Sequence, residues 1–317
     1  MSEFFLELFS EEIPALLQEK ARENINLNFK NFFEKENIVY DGNINSFSTP
    51  NRLIVFIKNI NPTIIKKAEE IRGPNINAPQ EAIDGFLRSY KIDKNKIFKK
   101  KTEKGEFYFL KSSSQKIKTE DLLNQHLPEV LSKISWKKSM KWGEYNLSWG
   151  RPLKNILAIY NKKILNFKFH HLNCTNITYL DKEFEEKTKV FKSYTSYISY
   201  FKNKGIIIEN EVRKNFIEKE LLKISGKKNL KINSINRLLQ EVTNLVEKPN
   251  IIFCEFDKKF LEVPKEILIT TMQNHQKYFP CFDKKENLTN YFFVVADIKD
   301  TKGFVKIGNE RVIEARL

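Results

Sequence analysis

The 317-residue sequence predicts an α+β protein, with mixed sheets flanked by helices and two domains of which the second is the more helical. Three observations lead there. Short apolar segments with strand character are interleaved with longer ones whose apolar residues recur every three or four positions, the mixture expected when helices cover sheets. The length exceeds the roughly 100 to 200 residues of one ordinary domain. Finally, a polar stretch of mixed sign, DKEFEEKTK at 181–189, separates a strand-rich portion from a helix-rich one and divides the chain into domains 1–185 and 186–317.

The elements follow in order. A strand is expected at 3–9, and Pro14, whose fixed φ suits a first helical turn, begins a helix running to about residue 36. Leu17, Ala21, Ile25 and Phe32 share a stripe interrupted only by Asn28, so this face belongs to the core. Strands come next at 45–48 and 52–58; the second is apolar on both faces and is expected inside its sheet. RGPNINAPQ at 72–80 reads as a loop and 81–90 as a short helix. Lys99, Lys100 and Lys101, a turn at Lys104-Gly105 and the strand EFYFL form a basic hairpin. Thr119 is placed to cap a helix over 120–134, which Pro128 should kink. Strands at 153–160 and 164–170 precede the polar stretch. Beyond it, helices are expected at 194–204, 211–224 and, behind a Ser234 cap, 235–247. Strands at 251–256 and 291–298 frame a helix begun by Pro264.

Composition excludes several function classes. Uninterrupted apolar runs are about five residues long, as at 53–57, against the roughly 20 that a spanning helix needs. The N-terminus also lacks the basic, apolar and small-residue succession of a secretory leader, so a cytoplasmic protein without a membrane partner is expected. Cys174, Cys254 and Cys281 show no CxxC spacing, which argues against a disulfide framework or structural zinc. His170 and His171, neighbours on a predicted strand, face opposite sides and cannot share a metal. Neither a GxGxxG nor a GxxxxGK loop is present, so no cofactor is expected on this chain.

The formal charge is +15, yet 46 of the 55 basic residues are Lys and there are 32 Asn, a pairing that A/T-rich codons produce without selection on charge. Distribution says more than total. Residues 91–118 hold ten Lys against three acids, and 133–141 adds four Lys with none. A basic hairpin carrying Phe107, Tyr108 and Phe109 suits RNA backbone contact with base stacking. A solvated hairpin whose aromatics lie on the core fits the same residues, and both readings stand at this point. Glu3, Glu7, Glu11 and Glu12 hold enough carboxylates for acid and base work, but without a histidine or companion motif they read as a solvated edge, and no catalytic residue is assigned.

Two segments are specialised. KKSMKWGEYNLSWGRP at 137–152 crowds two tryptophans around Arg151, and arginine, with five donors in one plane, recognises phosphate or carboxylate bidentately. FLEVPKEILITTMQNHQKYFPCF at 260–282 ends a helix in a polar tip, fit to read an RNA end or a partner, or simply to satisfy its own terminus.

In sequence order, ELFSEEIP at 7–14, TPNRL at 49–53, IRGP at 71–74, SMKWG with GRP at 139–152, EVTNLVEKP at 241–249, FLEVPKEILITTMQNHQKYFP at 260–280 and GNERVIEARL at 308–317 resemble the motifs of one family. That family is the beta subunit of the bacterial heterotetrameric glycyl-tRNA synthetase. The resemblance implies a class II synthetase complex that joins glycine to its tRNA with ATP. ATP and Mg would sit on a separate alpha subunit, the assembly would be an alpha2beta2 heterotetramer, and this subunit would supply tRNA binding and assembly without an active site. Arg52, Arg72, Arg151 and Arg311 are the implied RNA or interface contacts, followed by Gln276, Lys277 and Tyr278; Lys99, Lys100 and Lys101 join them from the charge pattern. Burial in ion pairs, with Trp142 in the core, is an equally open role for any single arginine.

Departures from the family pattern are Lys141 and Asn51, each where the family prefers Arg, and TYLDKEF at 178–184 where it has Gly-His-Arg-Phe. The family also continues for about as long again beyond the position of Leu317, with an anticodon-binding domain. An N-terminal portion is therefore expected, touching the acceptor end or body of the tRNA. The alternative from another class is a nonspecific basic RNA-binding or assembly protein with no synthetase role.

Overall fold

The computed structural model describes residues 2–66, 70–111, 114–180, 187–233 and 236–316. Strand β1 (Ser2–Ser10) alternates two apolar sets, Phe4, Leu6 and Leu8 against Phe5, and hides both. Helix α1 (Ala15–Glu36) begins behind Pro14 and ends at Asn37, whose φ of 55° supplies a left-handed cap. It buries Leu17, Ala21, Ile25 and Phe32, the stripe expected from their spacing, and with them Phe29 and Phe33. Strands β2 (Asn45–Ser48) and β3 (Arg52–Ile60) follow, and β3 lies between β2 and β1 as its two apolar faces require.

The chain then leaves this sheet. Strand β4 (Thr63–Lys66) leads into β5 (Glu70–Asn75), so Arg72 to Asn75, expected in a loop, are strand residues. The pairing of Arg72 with Phe109 across β5 explains the difference: an RGPN sequence accepts extended backbone when a partner strand is supplied from elsewhere in the chain. Helix α2 (Gln80–Tyr90), a 3₁₀ turn at Lys94–Lys96, β6 (Ile97–Thr102) and β7 (Gly105–Lys111) complete this region. Gly105, at φ 115°, supplies a hairpin turn that a side chain would strain. Strand β8 (Gln115–Lys118) returns beside β4. In α3 (Thr119–Ser132), Thr119 is the first helical residue and no side chain caps the end. Its hydroxyl donates instead to the carbonyl of Asn61 at 2.5 Å, which corrects the expected capping role. Pro128 lies within α3 without ending it.

Strand β9 (Leu153–Tyr160) is as expected, but the strand expected at 164–170 is broken into β10 (Lys163–Ile164) and β11 (Lys168–Phe169). Between them Leu165 and Phe167 turn into the core, and His170 takes a φ of 52° in the next turn, so the histidines do not alternate on a strand. Strands β12 (Leu172–Thr175), β13 (Ile177–Tyr179) and β14 (Thr188–Val190) follow. The first sheet has the order β11-β12-β9-β1-β3-β2, with β10 added to β9, and only the β12–β9 pair is parallel. One face, with Phe4, Leu6, Val55 and Ile156, is covered by α1 and α3. The other, with Phe5, Ile54, Phe56 and Leu157, is covered by α4 (Tyr194–Asn203) through Tyr194, Tyr197 and Phe201. Most of the polar boundary stretch, 181–186, lies outside the described residues.

Helices α5 (Asn210–Lys227) and α6 (Asn236–Thr243) cover one face of a smaller antiparallel sheet. Its strands are β15 (Asn250–Glu255), β16 (Phe279–Phe282) and β17 (Leu288–Ala296), in the order β15-β17-β16. The other face is closed by α7 (Lys265–Thr270), a π-helical turn at Thr271–Gln276 and α8 (Phe304–Glu314). Ser234 and Ile235, the expected cap and start of α6, lie outside the described residues. Helix α1 is tied to the end of α6 by the Gln18 amide, which donates to the carbonyls of Ile13 at 2.9 Å and Asn244 at 2.7 Å.

Candidate functional site

Register places Glu7 in the middle of β1, opposite Ile54 on one side and Leu157 on the other. Far from a solvated edge, it is fully buried, which corrects the reading of the acidic cluster. Arg52, at the start of β3 and also buried, brings Nε to 3.3 Å from Glu7 Oε2. Its Nη1 donates to Glu247, with Oε2 at 2.6 Å, and its Nη2 to the Tyr179 carbonyl at 2.7 Å. Thr178 and Tyr197 donate to Glu7, and Thr49 donates to Glu247. Burial pushes Glu7 above the usual carboxylate range, with Arg52 opposing the shift. For Arg52 burial alone would lower the pKa, but Glu247, Tyr197 and Glu7 outweigh it and hold the guanidinium charged. Nearby, Arg213 is buried against the carbonyls of Thr243, Ile208 and Ser48, and burial pushes it down to about 10. Five segments remote in sequence therefore meet at one ion-pair node.

The basic hairpin is the opposite case. It forms the sheet β5-β7-β6, where Lys99, Lys100 and Lys101 pair with Tyr108, Phe107 and Glu106 and all three lysines are exposed. Exposed Arg72 lays its guanidinium 3.6 Å from the centroid of the Phe107 ring, and Lys100 lies over Phe109 while pairing with Glu70. Phe109 is buried, Phe107 and Tyr108 half-buried, and Phe98 exposed. Among the described residues Arg72 makes no hydrogen bond or ion pair, so its donors face solvent.

The tryptophan segment folds back on itself through paired hydrogen bonds between Met140 and Trp149, at 2.8 and 3.1 Å. Trp149 is buried beside Trp136, and Gly150 is needed there because an added Cβ would lie 2.4 Å from the Trp136 ring. Arg151 is half-buried and donates to the Gly150 carbonyl at 2.9 Å. Trp142, half-buried, meets His171 edge-on, and Tyr145 stacks on that histidine at 3.6 Å.

In the polar tip at 272–277, Met272 is buried while Asn274 and His275 are exposed. Lys277, at φ 61°, pairs with Glu241 at 2.9 Å, and buried Tyr278 donates to Asn309 at 2.6 Å. Gln276 is half-buried, and Arg311 is exposed on α8. The structure thus separates the ten sequence candidates: Arg52 and Tyr278 lie inside, while Arg72, Lys99, Lys100, Lys101 and Arg311 lie outside, the first four of these on one sheet.

Sequence reading missed Glu247, Tyr197 and Thr178 as partners. The available signal was a lone carboxylate, Glu7, in a strand apolar on both sides, which has to find a cation or lose its charge.

Fold and site define a class, an α+β protein with a buried charge node and an appended cationic sheet. The model of the glycyl-tRNA synthetase beta subunit family matches residues 4–317, and the chain belongs to that family. It is 37% identical over its whole length to the glycine–tRNA ligase beta subunit of Rickettsia peacockii (strain Rustic), covering 48% of that protein. The corresponding subunits of Rickettsia felis and Rickettsia typhi are 36% and 38% identical, again over the whole of this chain and 48% of theirs. The chain therefore spans about half the length of the curated relatives it matches. No helix among the described residues is long and apolar enough to cross a membrane.

Proposed function

We propose that this chain is the tRNA-binding and assembly portion of a glycine–tRNA ligase beta subunit, acting in the cytoplasm beside an alpha subunit in an alpha2beta2 complex. ATP, Mg and glycine are handled on the alpha subunit, and this chain contributes no reacting group. The observation that carries the RNA part is the appended sheet, where the Arg72 guanidinium lies on Phe107 with its donors turned outward beside three exposed lysines. Such a surface offers counterion release to a phosphate backbone and ring faces to unstacked bases. The synthetase part rests on relatives that carry that name along the whole of this chain.

The test is glycylation of glycine tRNA by an alpha subunit, with and without this chain joined to the C-terminal half of a relative. Charging is expected to depend on the joined chain. Equal charging in both reactions would remove the synthetase role and leave the nonspecific RNA-binding alternative.

A further inference from the structure

A second feature is independent of RNA. A cleft of about 670 Å³ opens where β1 ends and β3 begins, beside the turn carrying Trp142 and Tyr145. Four of the seven family-like segments meet there: ELFSEEIP brings Glu11 and Glu12, TPNRL brings Asn51 and Arg52, SMKWG brings Trp142, and EVTNLVEKP brings Glu247. Its aromatic wall is built by Tyr145 stacked on His171, interplanar angle 9°, with Trp142 closing the corner at 74° to the histidine.

The lining charges determine what this space accepts. Glu11, Glu12 and Glu247 stand against Arg52 and Lys154, so carboxylates outnumber cations in the lining. Arg52 is buried and donates to Glu247 and the Tyr179 carbonyl, and Lys154 pairs with Glu11. Burial, with His170 and Lys168 nearby, lowers the pKa of His171, so the imidazole adds no positive charge at neutral pH. Glu12 is exposed and makes no ion pair among the described residues. In a chain of formal charge +15, this lining holds three carboxylates against two cations, so an incoming phosphate meets net negative charge.

We propose that the cleft receives an arginine side chain presented by a partner polypeptide, its guanidinium lying on the Tyr145 and Trp142 rings and paired with Glu12. A planar, weakly hydrated cation with a fork of donors is the group that satisfies an aromatic wall and a carboxylate together. The space exceeds one side chain, so adjoining backbone of the partner enters with it.

The probes are acetyl-Gly-Arg-Gly-amide, its lysine and citrulline analogues, and adenosine 5′-monophosphate. Binding is followed by the fluorine resonance of 5-fluorotryptophan at position 142. A saturable shift with the arginine peptide is expected, with citrulline, of the same shape but uncharged, bound about tenfold more weakly. Glu12→Gln and Tyr145→Ala should each weaken arginine binding about fivefold or more while leaving the Tm unchanged, because both side chains are exposed. Citrulline or lysine binding as tightly as arginine, tighter binding of the nucleotide, absence of a saturable shift, or indifference to Glu12→Gln would each overturn the assignment.

Discussion

Arg52 and Arg72 come from neighbouring family-like segments and end in opposite environments. The first is buried, ion-paired with two carboxylates and bonded to a carbonyl; the second is exposed, lying on one aromatic ring with no side-chain hydrogen bond or ion pair among the described residues. One guanidinium holds the fold together and the other is available to a ligand. Motif membership is common to both, so it cannot tell these roles apart. What separates them is the neighbouring sheet: β3 is covered on both faces, whereas β5 belongs to a small appended sheet.

Removing the buried cation should have the largest effect. Arg52→Met leaves Glu7 and Glu247 without their shared partner and should cost about 3 to 5 kcal/mol, read from urea denaturation. A loss below about 1 kcal/mol would place the node among surface pairs and erase the contrast.

Neutralising Lys99, Lys100 and Lys101 to Gln together should act the other way round. Stability should hold, since among the described residues these lysines make one ion pair, the exposed Lys100–Glu70 contact, and exposed pairs contribute about 0 to 1 kcal/mol. Affinity for tRNA should fall and the slope of log affinity against log salt should become shallower by about 2, as three phosphate contacts predict. An unchanged slope would reduce the sheet to a solvated surface.

The smallest effect is expected at Glu7. Because burial raises its pKa, the folded state holds the proton more tightly than the unfolded chain. Its stabilising contribution is therefore complete below the ordinary carboxylate range and fades as pH rises through the raised value. Glu7→Gln keeps a side chain that can accept from Thr178 or Tyr197, and Glu247 still neutralises Arg52. The variant should gain on the parent as pH rises above the ordinary carboxylate range, read from urea denaturation at a series of pH values. A parent that instead gained on the variant would make Glu7 a stabilising anion.

Much of the fold was legible because its signals are local. Strand β1, the apolar stripe of α1, the hairpin turn at Gly105 and the run of β9 all follow from periodicity or from one residue with a restricted backbone. Strand β5 was missed because RGPN has little strand preference of its own and becomes extended by pairing with β7. The segment at 164–170 was overcounted because two apolar residues there turn to the core through irregular backbone. Of the site, the cationic hairpin could be read from charge spacing, while the ion-pair node could not.

The sequence by itself determined the α+β class, the succession of β1, α1, β2 and β3, the basic hairpin and the family, since each is written in contiguous residues. Tertiary structure decided which charges meet. Glu247 lies 195 residues from Arg52 and Tyr197 lies 190 from Glu7, and nothing in the local pattern of either names the other. A buried carboxylate requires a counter-charge, but which one it receives depends on how β1, β3, β13, α4 and the segment after α6 come together. The same closure brought Glu12, Trp142 and Tyr145 around one cleft, giving separate motifs a common ligand.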